Sequence, residues 1–272
     1  MDLEQHYSDH LDTDSLLKQI KTRYPDGPNV YQLAPVDQLH IGGIKSSEKL
    51  LKRLEQINPT RILEIGSGLG GLMRLISDNF KHTELIGIDI THRFNLFNNA
   101  LTSLNPTNKP VQTITCDAQQ MPFADNHFDC IIFQHSLLNI PDTKACLAEC
   151  HRVLSSEGTL LLHEVLEGSN PEQMRYPVPW AREQKHSHLI PLTTLEQRLS
   201  ASGFLLYSNK NWSEEALQWR QRQAGKEKTT QPVDTISPAL VLGQEFKKMG
   251  PNVMANLNAG AVEVRELVCR RD

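Results

Sequence analysis

The stretch from Arg61 to Gly71, Arg61-Ile62-Leu63-Glu64-Ile65-Gly66-Ser67-Gly68-Leu69-Gly70-Gly71, constrains this chain more than any other. Ile62, Leu63 and Ile65 form a short apolar run of the kind buried on both faces of a parallel sheet. The run ends in a glycine cluster, and Leu72-Met73-Arg74-Leu75-Ile76 then begins a helix. Strand, glycine turn and helix let a backbone approach a nucleotide-like ligand closely. Gly66 and Gly68 supply the turn without a Cβ in the ligand's way. The spacing Gly66-x-Gly68-x-x-Gly71 also satisfies the dinucleotide pattern, so the glycines alone do not choose a ligand.

Glu64 makes the choice. A pyrophosphate lying against this turn would meet a carboxylate two residues before the first glycine, whereas a ligand with a positive amine and no phosphate would favour it. S-adenosylmethionine is such a ligand, with its amino-acid end, sulfonium and adenosine. The run Glu64-Ile65-Gly66-Ser67-Gly68-Leu69-Gly70 resembles the first motif of the class I methyltransferases, acidic-x-Gly-x-Gly-x-Gly.

Later strand ends add to this. Asp89, with Ile90 beside it, closes the apolar run Leu85-Ile86-Gly87-Ile88, at the distance from the glycine turn where a carboxylate accepts from both ribose hydroxyls. The alternative is a cap for the helix opening at Thr91. Asp117-Ala118 ends the third strand, and the resemblance implies that it pairs with the adenine edge. Met121-Pro122-Phe123 is then expected to cover the adenine ring. The expected cofactor-binding set is Glu64, Gly66, Gly68, Asp89, Ile90, Asp117, Ala118 and Gln134.

Composition narrows the classes. The chain has 272 residues, of which 39% are hydrophobic and 22% charged, with a net charge of −4. These are values for an ordinary globular protein, without the basic footprint of a nucleic-acid binder. The polar start Met1-Asp2-Leu3-Glu4-Gln5-His6 lacks a signal-peptide core, and no apolar stretch reaches membrane-spanning length. A cytoplasmic protein with no nucleic-acid or membrane partner is expected; oligomeric state is unreadable. Cys146, Cys150 and His151 sit close together, but no second Cys or His pair completes a metal set, so no metal is expected.

In chain order, a helix from about Asp12 to Tyr24 ends at Pro25-Asp26-Gly27-Pro28. Leu33 to Gly43 has neither a helical nor a strand period. Ser46 opens a helix reaching about Ile57. Residues 1–58 are expected to be a helical lead-in and cap, and 59–272 a single catalytic domain. Further strands are expected at Glu84–Asp89, Val111–Thr115, Phe128–Phe133, Thr159–Val165 after a Ser155–Gly158 turn, Phe204–Tyr207 and Val262–Cys269. Lid insertions are expected at about 167–192 and 212–259, with a polar linker from Lys226 to Pro238 and one helix from Leu240 to Leu257.

Four segments extend the resemblance to small-molecule enzymes of the sarcosine and dimethylglycine N-methyltransferase kind. They are Leu33 to Gly43, Gln134 to Ile140, His163-Glu164-Val165, and Tyr176-Pro177-Val178-Pro179-Trp180-Ala181. An acidic residue is expected after Gln134 in those N-methyltransferases, and this chain has His135. Methyl transfer is an in-line displacement needing alignment, and a base only for a hydroxyl or protonated amine. His135 and Glu164 are the expected catalytic residues, and His40, Asn139 and Trp180 the expected substrate contacts. His163 is expected to point away from Glu164 by strand alternation.

The expected fold is α/β: a Rossmann-like, seven-stranded mixed sheet with helices on both faces, a helical lead-in and a helical lid. The resemblance implies an antiparallel last strand. It also implies S-adenosyl-L-methionine as cofactor, S-adenosyl-L-homocysteine as product, and a small-molecule methyl acceptor. N- or O-methylation leads. The alternatives are C-methylation of an isoprenoid-type substrate, an NAD-dependent oxidoreductase, and a non-catalytic S-adenosylmethionine-binding protein.

Overall fold

A computed structural model describes residues 11–106, 109–229 and 236–272, with backbone only for 226–229. The polar N-terminal start and part of the Lys226–Pro238 segment lie outside the described residues. The chain opens with three helices, α1 (Thr13–Arg23), α2 (Val30–Asp37) and α3 (Ile44–Ile57). The core then alternates β1 (Arg61–Ile65), α4 (Gly71–Asn79), β2 (Glu84–Asp89), α5 (His92–Thr102), β3 (Gln112–Thr115), β4 (Phe128–Gln134), α6 (Thr143–Val153) and β5 (Leu154–Glu167). There follow α7 (Leu192–Ala201), β6 (Phe204–Asn211), α8 (Ser213–Thr229), α9 (Ala239–Leu242), α10 (Phe246–Ala259) and β7 (Val262–Arg271).

One seven-stranded sheet has the order β3-β2-β1-β4-β5-β7-β6. Strands β1 to β5 run parallel, and β7 inserts antiparallel between β5 and β6. The strand order reverses between β1 and β4, and the C-terminal ends of these two strands open the crevice where such sheets present ligands. Leu63, Ile65, Ile131, Phe133, Leu160 and Leu162 face one apolar cluster, whereas Ile62, Cys130, Ile132 and Leu161 face another built on α3 and α4. Both faces of the central strands are therefore covered, as their near-continuous hydrophobic sequence requires. Leu50, Leu51 and Leu54 dock α3 onto that second cluster. Each such side chain stabilises by about 1.5–3 kcal/mol, so Leu54→Asp would detach the helix.

Some expected boundaries change. Leu33 to Gly43 is not irregular throughout, because α2 covers its first part. Asn29 caps α2 through a reciprocal box with Gln32, and Pro35 lies inside the helix, close to its end. Ser155–Gly158 is no separate turn. It bulges within β5, where pairing jumps from Phe128–Leu154 to Cys130–Thr159 and Glu157 adopts φ 64°. The helix expected from Leu240 to Leu257 is two helices, broken at Gly243 with φ 76°. Helix α8 runs to Thr229, into the expected linker.

Candidate active site

The glycine turn is held open by main-chain bonds. The N–H groups of Gly66 and Ser67 donate to Ile88 O at 2.8 and 3.0 Å. Asp89 completes the frame. Its Oδ2 accepts from Gly68 N at 2.9 Å and its Oδ1 from Thr91 N at 2.8 Å, so it joins the turn to the start of α5. At Gly66 a Cβ would stand 2.4 Å from Cβ of Ser136, whereas at Gly68 (φ 51°) it would meet nothing within 4 Å. Gly68 therefore faces open space, and its left-handed backbone suits glycine.

That space is a cavity of about 580 Å³ at the strand ends. Its walls include Glu64, Gly66, Gly68, Asp89, Ile90, Asp117, Ala118 and Gln134, together with His40, His135, Asn139 and Trp180. Twelve of the thirteen residues expected from the sequence thus meet in one cavity. Glu164 is not in its walls.

The methyl-donor half expected from the sequence is acidic. Glu64 is 4% exposed and its Oε2 is buried without a partner. Burial pushes its carboxyl up to about 8, opposed by Arg74 and assisted by Asp89. Burial also raises Asp89, against the lowering effect of its two backbone donors. Beside it Ile90 is 49% exposed, an apolar platform left uncovered on the cavity wall. Asp117 accepts from Gln119 N at 2.9 Å. Met121 and Phe123, expected to cover an adenine ring, instead pack into the sheet core near Phe128 and do not line the cavity. Ile90, Phe94 and Cys116 supply apolar wall there.

The other half is closed by the segment after α2, the loop after β4 and the connection after β5. Gln134 meets Ser47 Oγ at 3.2 Å, which ties β4 to α3. His40 lies between Gln38 Oε1, at 2.8 Å, and Ser46 Oγ, at 3.1 Å, and burial lowers it to about 4. His135 adopts φ 54°, its N–H donating to His163 O at 2.9 Å. Ile41 N donates to His135 Nδ1 at 3.4 Å, which leaves the proton of the neutral ring on Nε2. Nε2 is itself buried without a partner, so one ring nitrogen is out of the cavity and the other is taken by Ile41 N. Burial, His163 and His40 together hold His135 well below the usual histidine range.

Glu164 and His163 do face opposite ways. Glu164 Oε1 accepts from Ser136 N at 2.9 Å and Leu137 N at 3.0 Å, holding the short helical turn Leu137–Asn139 from behind. His163, set aside on the sequence, stacks on His135. Sequence reasoning also missed Asp37, Lys185, His186 and His188 in the cavity wall. The cluster Lys185-His186-Ser187-His188 within a long connection was the available signal for three of them.

Among the described residues no group of three or more His, Cys, Asp and Glu is arranged to hold a metal, and Cys146 and Cys150 are core residues. Among them also, no helix is long and apolar enough to cross a membrane.

Comparison with known proteins places this architecture. Residues 63–162 match a family described as a methyltransferase domain. Demethylmenaquinone methyltransferase of Thermotoga maritima is 29% identical over 122 residues, covering 45% of this chain and 51% of that protein. The chain thus spans about half the length of that curated relative. A putative sarcosine dimethylglycine methyltransferase from Galdieria sulphuraria superposes with a TM-score of 0.71 at 15% identity, over 93% of this chain and 98% of its own. A cyclase, SpnF, superposes with a TM-score of 0.66 at 18% identity, over 100% and 97%. The fold thus serves more than one reaction. Residues 63–162, from β1 into β5, are thus similar to a methyltransferase domain, and they lie on a Rossmann-like seven-stranded sheet.

Proposed function

We propose that the protein is an S-adenosyl-L-methionine-dependent methyltransferase acting on a small-molecule acceptor, with N- or O-methylation the leading chemistries. The observation that carries this reading is the charge of the donor half. Glu64, Asp89 and Asp117 line it, and no lysine or arginine from the glycine turn, β2 or β3 does. A dinucleotide's pyrophosphate would find three carboxyl groups and no cation there, whereas the amine and sulfonium of S-adenosylmethionine are cations.

In this reading Glu64 holds the amine end, Gly66 and Gly68 allow close approach, and Asp89 takes the ribose hydroxyls on its remaining lone pairs. Ile90 and Ala118 flank the adenine, and Asp117 accepts from its amino group. Gln134 supports the methionine end. The transferable methyl then points toward His40, His135, Asn139 and Trp180. His135 and Glu164 act by shape: His135 as a neutral wall, Glu164 by fixing the loop that carries it. The bound cofactor supplies an electrophilic methyl carbon, and the chain's residues align the acceptor with it and exclude water.

Incubation with S-adenosylmethionine and a library of small hydroxy, amino and sugar acceptors tests this reading. Release of S-adenosylhomocysteine that depends on one acceptor class supports it. Tight binding of NAD with no S-adenosylmethionine binding would replace it with an oxidoreductase.

A further inference from the structure

The cavity is polarised in a way that bears on the acceptor, given the methyl-donor reading above. Among the described residues, every carboxyl group in its walls belongs to the donor half or, as with Asp37, is turned to Arg74 at 2.8 Å. The remaining wall comes from residues 39–41, 134–141, 179–188 and 241–242. The residues of these segments that line the cavity include His40, His135, Lys185, His186 and His188, and no aspartate or glutamate. Between them lie Ile41, Leu138, Ile140, Val241 and Leu242.

A protonated amine taken from water into such a pocket needs a carboxylate or a cage of aromatic faces to offset its lost hydration. Neither is present. Trp180 is the sole Trp, Tyr or Phe among the described lining residues of this half, and it is 5% exposed. His40 and His135 are held uncharged by burial, so they neither attract nor neutralise a cation. Lys185 places positive charge at the rim. It is paired at 2.8 Å with Glu183, which does not line the cavity. The donor's sulfonium adds a second positive charge facing the acceptor.

We propose that the acceptor half takes a small molecule presenting an ionised hydroxyl oxygen, of the phenol or enol kind, on an apolar body, and rejects a protonated amine. The acceptor loses its proton to solvent before it enters, so no protein base is required. This agrees with the ring of His135, whose Nε2 is buried and whose Nδ1 accepts from Ile41 N. The oxygen's lone pair then forms the O–C bond as the C–S bond breaks and its electron pair passes to sulfur. Oxyanion and sulfonium become neutral ether and neutral thioether, and this loss of opposite charges is favoured in a low-dielectric cavity.

Two probes of one shape test the proposal on the full chain loaded with S-adenosylhomocysteine: 4-nitrophenol, ionised at mildly alkaline pH, and 4-nitrobenzylamine, protonated there. Calorimetry should show the phenolate binding several-fold tighter than the ammonium, because Lys185 opposes the ammonium even without the donor's sulfonium. Lys185→Glu should narrow that ratio. With S-adenosylmethionine in place of the product, only the phenol should release S-adenosylhomocysteine. Equal or tighter binding of the amine, no binding of either probe, or a ratio unmoved by Lys185→Glu overturns the proposal. S-adenosylhomocysteine is titrated first on each protein. Its failure to bind wild type would sink the methyl-donor reading itself, whereas normal binding without phenolate preference sinks only this inference.

Discussion

The rings of His135 and His163 lie 5.0 Å apart with their planes 14° from parallel, a stacked pair of imidazoles of which His135 lines the cavity and His163 lies behind it. His163 is 1% exposed, and neither of its ring nitrogens has a partner. Its far side meets the edge of Trp212, with centroids 5.0 Å apart at 88°. Two imidazoles so close, both out of water, are stable only uncharged.

The folded protein should therefore be acid-sensitive through His163. Burial lowers this group from 6.5 to about 3, with His40 and Lys49 adding to the effect. Between those values the unfolded chain binds a proton that the folded chain does not, so stability falls as pH drops through that window. His163→Phe keeps the stack and removes the titration. Thermal melts should show the variant gaining on wild type by up to about 1.4 kcal/mol per pH unit below 6.5. A gap that stays constant with pH would mean that His163 takes up its proton as readily in the fold as in the unfolded chain.

Binding of a cationic ligand end at Glu64 should release protons. Burial raises its carboxyl to about 8, so at neutral pH it is largely protonated. An ammonium brought alongside would lower that value and expel the proton. Titrations of S-adenosylhomocysteine in buffers of different ionisation enthalpy should show proton release at pH 7 that disappears well above pH 8. Glu64→Gln should abolish the release and weaken binding by about 1–3 kcal/mol. Proton uptake, or no exchange, would remove Glu64 from the amine's surroundings.

The lead-in is fastened to α4, just past the glycine turn, by a buried ion pair. Arg74 Nη2 stands 2.8 Å from Asp37 Oδ2, with side chains 2% and 1% exposed, and Arg74 also donates to Asn98 and to Leu69 O. Removing one partner strands the other charge, so Asp37→Ala should cost about 3–5 kcal/mol in denaturant unfolding. Pairing it with Arg74→Met should recover part of that loss.

Glu164 is expected to matter for the loop and not for proton transfer. Glu164→Ala leaves the N–H groups of Ser136 and Leu137 without their acceptor, at a cost of about 1–3 kcal/mol. Glu164→Gln keeps an acceptor oxygen there and should retain most of both stability and turnover. A loss of turnover in the Gln variant, without a drop in melting temperature, would restore Glu164 to the chemistry.

The central sheet was legible because Ile62 to Ile65, Leu85 to Ile88 and Phe128 to Phe133 are mostly apolar runs that end in Gly66, Asp89 and Gln134, where a parallel strand gives way to its loop. That Glu64, Asp89 and Asp117 would share one cavity was legible for the same reason: they sit at strand ends, and strand ends converge. The acceptor half was less so. Alternation correctly opposed His163 to Glu164, but strand period cannot report that the backbone at His135 turns left-handed and lays its ring on His163. Helix α2 was hidden by Pro35, although Asn29 and Gln32 carried its capping signal. Lys185, His186 and His188 reach the cavity through a connection with little regular structure, and no periodicity marks such an approach.

The account rests on the donor cavity, and calorimetric titration of S-adenosylhomocysteine into the full chain, with NAD as control, tests it most directly. The prediction is one site for S-adenosylhomocysteine and none for NAD. Asp89→Ala should weaken that site by about 1.5–3 kcal/mol, as loss of charge-assisted hydrogen bonds requires. Ile90→Asp, at a wall position that supports no part of the fold core, should weaken it as well while leaving the melting temperature unchanged. Binding of NAD in place of S-adenosylhomocysteine, or equal affinity in wild type and both variants, would contradict the account.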